Sequence, residues 1–230
     1  MRLQDWLGFG SLAAGLAAVA GIVRSDWAWV WTALVASVVL GIATRVVSVR
    51  YPSPIPYALR WTLRAPRGKQ SAAHVRGLLE PRPGERVLEI GPGPGLHAVP
   101  VAASLVPGGR LEVLDVQLAM LRDVLKRAAD REVVGIAATQ GDACSLPYGD
   151  ASFDAACLIG VLGEIPDGDA ALRELRRVLK PGGRVVVGEV FFDPDFVRLG
   201  ELERRMGLAS FALDRKQGGS LSFLARFVAT

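Results

Sequence analysis

The sequence predicts an α/β fold in which a mostly parallel, seven-stranded sheet is covered by helices on both faces and preceded by two hydrophobic helices. Three observations support this prediction. Short apolar segments alternate with helix-type segments from residue 86 onward, two strand-like runs close the chain, and two long apolar runs open it. Alternation of strands and helices is typical of a parallel sheet with helices on both sides.

The first fifty residues hold most of the excess of apolar side chains. One apolar run extends from Trp6 to Val23 and a second from Trp27 to Ala43, with the polar residues 24–26 between them. Runs of 18 and 17 residues lie near the lower limit for a helix that crosses a bilayer, and tryptophans at their starts are typical of the headgroup level. The sequence therefore predicts a membrane-anchoring helical hairpin over residues 1–50.

Two other interpretations of these runs stay open. Ala18-Val19-Ala20 resembles the cleavage site of a signal peptide, although a second apolar run follows at once. The pair could also lie on the membrane surface or form a soluble core, because its first run is rich in Ala and Gly. Basic residues follow the hairpin, so the positive-inside rule places both its ends and the rest of the chain in the cytoplasm.

Residues 51–80 are predicted to form a basic linker and a helix over about 68–79. Four prolines between residues 52 and 66 exclude one continuous helix. From Arg50 to Arg76 the chain carries six basic residues and no acidic one. This run favours contact with anionic lipid headgroups over nucleic acid, because no nucleic-acid-binding module is recognisable.

Residues 81–230 are predicted to form one α/β domain. Its five central strands are predicted over 86–90, 110–114, 132–139, 153–159 and 184–190. The helices between them are predicted over 97–105, over 118–129 and around Leu172, Leu175 and Leu179. The tail predicts a helix near 196–206 and an antiparallel hairpin of the strands 208–214 and 221–228.

Three features lie where these strands end, which is where ligands of parallel sheets bind. The first is the turn Gly91-Pro92-Gly93-Pro94-Gly95, whose missing side chains allow a ligand to approach the backbone. The second is Asp115, a carboxylate suited to accept both hydroxyls of a ribose. The third is Gly141-Asp142-Ala143, which could recognise an adenine edge.

The charge around the glycine turn distinguishes between cofactors. A dinucleotide fingerprint requires glycine where this chain has Leu96, which disfavours an NAD-dependent dehydrogenase. Glu89 precedes the turn by two residues, and two prolines reduce the number of free backbone donors. This environment suits a cation better than a pyrophosphate. It therefore predicts S-adenosylmethionine, which carries a sulfonium and an ammonium group.

Neither a metal site nor a disulfide framework is expected. The two cysteines, Cys144 and Cys157, lack metal-ligand spacing, and only His74 and His97 could assist them. We expect both thiols to be reduced in a cytosolic domain.

Four segments resemble, in order and spacing, the motifs of class I methyltransferases, whose domain is Rossmann-like. They are VLEIGPGPG (87–95), LEVLDV (111–116), GDACSLPYGDASFDAACLIGVLGEIPD (141–167) and LRELRRVLKPGGRVVVGE (172–189). More narrowly, the chain resembles the methyltransferase type 11 group, which includes ubiquinone/menaquinone C-methyltransferases and phospholipid or small-molecule methyltransferases. The resemblance covers about residues 68–192 and is much less specific for the substrate than for the cofactor. The N-terminal hairpin lies outside the family pattern.

The resemblance also implies a set of cofactor-binding residues. They are Glu89, Gly91, Gly93 and Gly95 for the methionine part, Asp115 for the ribose, Asp142 and Ala143 for the adenine, and Val116, Ile159 and Gly160 elsewhere in the pocket. Met120 either packs on the adenine or is an ordinary core methionine.

The acceptor side is less defined by the sequence. Methyl transfer from a sulfonium depends mainly on alignment and exclusion of water, so no catalytic side chain is obligatory. A base would help an oxygen, nitrogen or activated carbon acceptor, and Glu164 is the catalytic candidate, with capping of the next helix as its alternative. Tyr57 and His74 are further candidates for acceptor contacts, whereas His97 is expected to be structural.

The hairpin and the basic run predict a lipophilic acceptor, either a phospholipid headgroup or a quinone precursor, that is reached at the membrane surface. A membrane protein that binds the cofactor without catalysis is the alternative.

Overall fold

The computed structural model describes residues 3–23, 27–64 and 70–230. The helices are α1 Leu3–Val23, α2 Trp27–Arg50, α3 Ala72–Leu79, α4 Ala98–Ala103, α5 Leu118–Ala129, α6 Gly168–Val178 and α7 Leu199–Leu208. The strands are β1 Arg86–Ile90, β2 Arg110–Asp115, β3 Ile136–Gln140, β4 Phe153–Ile159, β5 Leu179–Val190, β6 Phe211–Gly219 and β7 Ser222–Ala229. Two 3-10 segments cover Tyr57–Arg64 and Leu162–Glu164.

The seven strands form one sheet in the order β3-β2-β1-β4-β5-β7-β6. Strands β1 to β5 run parallel, and β7 joins β5 and β6 antiparallel to both. The predicted fold class is therefore confirmed, including the C-terminal antiparallel hairpin. In the centre of the sheet Ile90 pairs with Leu114 on one side and Leu158 on the other, so the neighbouring strands end at one edge.

Two apolar layers cover the sheet, one on each face. Leu88 and Ile90 of β1 pack on the face that carries α6 and α7, while Val87 packs on the face that carries α3, α4 and α5. Alternate residues of a strand point to opposite faces, so a strand buried on both sides must be almost continuously apolar. Glu89 interrupts that pattern on the α3–α5 face.

Several element boundaries differ from the sequence-based expectation for backbone reasons. Strand β3 begins at Ile136 rather than 132, because Glu132 (φ 54°) and Gly135 (φ 83°) adopt left-handed conformations that interrupt an extended strand. Strand β5 begins at Leu179 rather than 184, so it includes Pro181, Gly182 and Gly183, with a shift in register against β4. Strand β6 covers Phe211–Gly219 rather than 208–214, and β7 begins at Ser222, so the closing turn lies at residues 220–221.

Helices α1 and α2 pack against each other, which confirms the predicted pair of helices. The Ser11 hydroxyl donates to the Ser37 carbonyl (2.9 Å), and the Ser37 hydroxyl donates to the Ser11 carbonyl (3.0 Å). The Trp29 indole donates to the Ala17 carbonyl (3.1 Å). Small residues and reciprocal hydroxyl bonds between helices are common in membrane proteins. The predicted turn at 24–26 lies outside the described residues.

The outer surface of this pair is apolar. Within the described residues, α2 is the one helix long and apolar enough to cross a bilayer, and α1 contributes a shorter apolar stretch, Trp6–Ala20. The exposed apolar side chains of α2 include Val35, Val38, Val39, Ile42 and Val46. A soluble core helix would bury such side chains. Insertion into a membrane therefore stays our prediction for the pair.

Arg45 connects α2 to the sheet domain. Its guanidinium donates to the carbonyls of Asp193 (3.3 Å) and Phe196 (3.4 Å), which follow β5. The same group lies over the rings of Phe191, at 5.4 Å, and Phe196, at 5.8 Å. The C-terminal end of the hairpin is thus held directly against the domain.

Gly109, just before β2, offers a test of backbone packing. A Cβ added there would lie 2.5 Å from the Leu105 carbonyl oxygen and 2.7 Å from that of Glu85. We expect Gly109→Ala to lower the free energy of unfolding by about 1–3 kcal/mol, measured by urea unfolding in mild detergent. The control Gly77→Ala in α3 meets nothing within 4 Å and should raise it by about 0.5–1 kcal/mol. Equal stability of the two variants would contradict this packing.

Candidate functional site

The carboxyl ends of β1 to β4 surround a cavity. Most of the predicted site residues line it, namely Gly91, Gly93, Asp115, Val116, Met120, Asp142, Ala143, Ile159, Gly160 and Glu164. The parallel pairing of the strands brings these residues together, although they are spread over more than seventy positions of the sequence. Glu89 and Gly95 lie outside the cavity wall.

The glycine turn after β1 has the backbone geometry that its composition predicts. Gly91 and Gly93 adopt left-handed conformations, with φ of 64° and 52°. A Cβ at Gly91 would lie 2.5 Å from a methyl group of Val161, so a larger residue would close the cavity here. Gly95 faces the other way, where a Cβ would approach Val124 of α5 at 3.2 Å. Its function is therefore close packing of the turn on α5.

Glu89 is a buried carboxyl beneath the glycine turn. It is 2% exposed, it is flanked by Val113 and Cys157 on the neighbouring strands, and its Oε2 has no hydrogen-bond partner among the described residues. Burial raises the pKa of this carboxyl to about 8. A cationic group placed beside it would favour the ionised form, so the site fits the ammonium group of S-adenosylmethionine.

Gln70 provides a second unsatisfied polar group close to the turn. The His97 ring nitrogen Nε2 lies 2.9 Å from the Gln70 carbonyl oxygen, which ties Gln70 to the start of α4. The Gln70 side chain is 1% exposed, and neither of its polar atoms has a partner within the described part of the chain. Such buried groups are costly unless they are paired, although Gln70 itself does not line the cavity. No sequence pattern marks Gln70, because it lies in a linker without periodicity.

The carboxylates after β2 and β3 lie on the cavity wall. The Asp115 Oδ1 accepts the Gln117 N–H (2.8 Å), and burial raises the pKa of Asp115 to about 6. The Asp142 Oδ1 accepts the Cys144 N–H (2.8 Å), which shapes the loop and leaves Asp142 exposed. Met120 is 1% exposed, as a core methionine would be, and it also lines the cavity, so its contact with the adenine stays a prediction.

Residues 54–63, here called the strap, cover the mouth of the cavity. Pro54, Ile55 and Leu63 line its wall. The Ile55 N–H donates to the Glu164 Oε2 (3.3 Å), and the Gln117 side-chain amide donates to the Ile55 carbonyl (2.9 Å). One strap residue thus joins the acceptor side of the cavity to the cofactor side.

Tyr57 and Arg60 hold the strap to α5. The Tyr57 hydroxyl donates to the Asp123 Oδ1 (3.1 Å), and the Arg60 Nε lies 3.0 Å from the Asp123 Oδ2. The Arg60 guanidinium also lies 4.0 Å from the centre of the Tyr57 ring. Tyr57 therefore positions the strap and does not line the cavity. His74 is exposed on α3 and contacts Ser71, so it lies outside the cavity as well.

Glu164 ends the 3-10 turn after β4 and faces the cavity. Burial, with a smaller contribution from the nearby Asp195 carboxylate, raises its pKa well above the usual range. Helix α6 is capped by Asp167, whose Oδ1 accepts the Ala170 N–H (2.8 Å). Glu164 is therefore not the cap of that helix, and its carboxyl is available to a ligand.

Comparison with known proteins identifies the domain type. Residues 88–187 match the family model described as a methyltransferase domain. A solved S-adenosylmethionine-dependent methyltransferase from Aquifex aeolicus has a TM-score of 0.70 at 15% identity, covering 77% of this chain and all of that one. The [4+2]-cyclase SpnF has a TM-score of 0.58 at 24% identity, covering 77% of this chain and 71% of its own.

Sequence relatives agree with this match. The ubiquinone/menaquinone biosynthesis C-methyltransferase UbiE of Cellvibrio japonicus is 39% identical over 109 residues, which is 47% of this chain and 44% of that protein. The demethylmenaquinone methyltransferase of Corynebacterium kroppenstedtii is 40% identical over 116 residues, which is 50% of this chain and 46% of that protein. The matched region thus spans less than half the length of either relative.

The fold, the cavity and these matches define the class of protein. The chain carries a class I S-adenosylmethionine-dependent methyltransferase domain, and S-adenosylmethionine is the cofactor of this domain.

The raised pKa of Glu89 predicts that cofactor affinity depends on pH. The free protein holds a proton on Glu89 up to about pH 8 and on Asp115 up to about pH 6. A bound cation favours the carboxylate form of Glu89. Binding of S-adenosylmethionine at neutral pH should therefore release protons from the protein, and the affinity should increase as the pH rises towards 8. Titration calorimetry in buffers of different ionisation enthalpy measures both effects.

Glu89→Gln should weaken binding of S-adenosylmethionine. It should also remove the increase in affinity that the parent chain shows above neutral pH. Glu112→Gln is the control, because this β2 carboxylate is already ion-paired with Arg86 and Arg110. Proton release above neutral pH that persists in the Glu89→Gln variant would contradict the assignment of Glu89 as the partner of the ammonium group.

Proposed function

We propose that this chain transfers the methyl group of S-adenosylmethionine to a small lipophilic acceptor, a phospholipid headgroup or a quinone precursor, with its domain at the cytoplasmic face of a membrane. One observation carries methyl transfer. The glycine turn, Asp115 and the loop 141–143 converge on a single cavity whose opposite wall carries the Glu164 carboxyl.

The residues present fit the cofactor. When bound, S-adenosylmethionine supplies an electrophilic methyl group attached to a sulfonium. Glu89 would hold its ammonium group, Asp115 its ribose hydroxyls and Ala143 its adenine. Pro54, Ile55 and Leu63 of the strap line the cavity, and orientation together with dehydration is the main requirement of such a displacement.

Glu164 is suited to take a proton from the acceptor. With the cofactor bound, the Glu164 carboxylate would accept the proton that an acceptor oxygen, nitrogen or activated carbon loses on methylation, and the electron pair of the broken carbon–sulfur bond would leave with sulfur. A carboxylate with a raised pKa is a stronger base than an exposed one. The Ile55 N–H bond to Oε2 holds the carboxylate in place (3.3 Å).

The hairpin supports a lipophilic acceptor and a membrane location. Its outer surface exposes apolar side chains, and Arg50 at its end is exposed beside the basic linker. The Arg45 contacts keep the domain against the hairpin, and therefore close to lipid. The names of the relatives, which concern ubiquinone and menaquinone biosynthesis, point in the same direction.

Binding of the cofactor without methyl transfer is the second candidate. The observation that favours it is the likeness to SpnF, a [4+2]-cyclase that shares this fold. A fold alone does not define a reaction, so the site residues must decide between the two.

Titration of S-adenosylmethionine into the full chain in nanodiscs tests the cofactor. We expect micromolar binding, competition by S-adenosylhomocysteine and no binding of NAD. Asp115→Ala should weaken binding at least about tenfold, because it removes a partner of the ribose hydroxyls. Asp130→Ala, an exposed carboxylate paired with Lys126, should leave it unchanged. A well-folded chain that does not bind S-adenosylmethionine would contradict the proposal.

Replacement of Glu164 tests methyl transfer. Glu164→Gln should lower kcat by about 10²–10⁴-fold and leave cofactor binding intact, since it removes only the proton acceptor. The matched control Asp167→Asn keeps the helix cap, because Asn caps as well as Asp. Methyl transfer is measured with the radiolabelled methyl group on membrane extracts. Equal kcat in both variants would exclude Glu164 as the base.

A further inference from the structure

A second cavity, here called the chamber, lies between the hairpin and the cofactor cavity. Its volume is about 250 Å³, more than the ~150 Å³ that accommodates a benzene ring in an engineered cavity. Helix α1 contributes Gly8, Phe9 and Leu12 to its wall, and α2 contributes Thr44 and Ser48. The chamber therefore exists only because the hairpin packs on the domain.

The chamber adjoins the cofactor cavity directly. Ile55, Leu63, Gly160 and Glu164 line both cavities. A molecule in the chamber that reaches these four residues would approach the cofactor from the side of Glu164. An acceptor placed there would lie next to the proposed base.

The two ends of the chamber differ in polarity. Phe9 and Leu12 of α1 and Trp61 of the strap form an apolar end, and each is partly exposed on the apolar flank of the hairpin. The opposite end carries the carboxyls of Glu164, Asp193 and Asp195. None of the described residues that line the chamber is Lys or Arg.

Electrostatics at the acidic end restrict the head group that fits. Burial raises the pKa values of Glu164 and Asp195, so the ionised form of either carboxyl is disfavoured here. Arg45 faces Asp195 from outside the lining, although its guanidinium is engaged by two backbone carbonyls and two rings. A phosphate or carboxylate would bring a negative charge to a place where burial already disfavours one, whereas a hydroxyl or an amine would form a hydrogen bond with the carboxyls.

We propose that the chamber is the acceptor site of this enzyme, an inference that rests on the proposed methyl transfer. It binds an amphiphile by one hydrocarbon chain, between α1 and the strap, and places a hydroxyl or amine head at Glu164. Acceptors whose anionic group would have to enter the chamber are excluded. This rules out a phosphate beside the reacting atom and narrows the acceptor class.

Photo-crosslinking to the full chain in phosphatidylcholine nanodiscs tests the head group. Three probes share a sixteen-carbon chain with one diazirine and differ in the head, namely an alcohol, an amine or a carboxylic acid. We expect the alcohol or the amine to label α1 and strap peptides at least about tenfold more than the acid. The better of these two identifies the head. Equal or stronger labelling by the acid would overturn the proposal.

Glycine substitutions on α1 test the site itself. Gly8→Val adds volume to the chamber without a clash, since a Cβ there meets only Thr44 Cγ2 at 3.8 Å. It should reduce labelling about tenfold through loss of space. Gly15→Val is the matched control, because its Cβ meets only Ser37 Oγ at 3.7 Å and Gly15 lies outside the chamber. Equal labelling of the two variants would contradict the assignment.

Three further measurements separate failure of the chamber assignment from failure of the proposed function. Leu12→Ala enlarges the chamber without adding volume to the helix pair. The probe should therefore label a different peptide in this variant. Glu164→Gln removes one carboxyl of the chamber and should therefore lower the ratio of alcohol or amine labelling to acid labelling. S-adenosylmethionine should bind Gly8→Val as it binds the parent chain. Loss of cofactor binding by the parent chain would contradict the proposed function, whereas intact binding with indifferent labelling would contradict the chamber alone.

Discussion

Parallel pairing of β1 with β2 and β4 is the constraint on which the site depends. Because these strands run in one direction, their carboxyl ends meet at one edge, and three connecting segments that are distant in sequence face the same space. The helices bury both faces of the sheet, which leaves this edge as the place where polar groups can gather. The charged residues of the site therefore gather here because of the sheet topology, which the alternation of strands and helices in the sequence already predicts.

The buried carboxyl of Glu89 is the exception in an otherwise apolar strand, and it gives the site its chemical character. A strand buried on both faces has no structural need for an ionisable group, and an uncompensated one destabilises the ligand-free protein above its unfolded pKa. Such a cost is typical of functional positions, because a cationic ligand offsets it. Burial is what distinguishes this carboxyl from the exposed carboxylate of Asp142.

The hairpin and the strap distinguish this protein from a methyltransferase domain alone. Arg45 holds α2 on the segment after β5, and Ile55 connects Glu164 to Gln117 across the cavity mouth. In each of these contacts at least one partner, either α2 or the strap, lies outside the family match at residues 88–187. Residues N-terminal to the shared domain therefore contribute to the proposed acceptor site.

The sequence by itself determined the order and type of the elements from Arg86 onward, the two apolar helices and the convergence of the glycine turn with Asp115 and Asp142. Periodicity, turn residues and charge are local, so they can be interpreted without coordinates. Its errors lay where the backbone overrides pattern, as at Glu132 and Gly135, where left-handed conformations delay β3.

Only the tertiary structure showed which residues Gly95, Tyr57 and Gln70 contact. It also decided the contact of the strap with Glu164 and the existence of the chamber. Each of these depends on which distant segment lies opposite, and long-range packing leaves no periodic signal in a linker rich in proline and arginine. Local chemistry thus predicts the cofactor side of this protein, whereas only the docking of the hairpin and the strap defines the acceptor side.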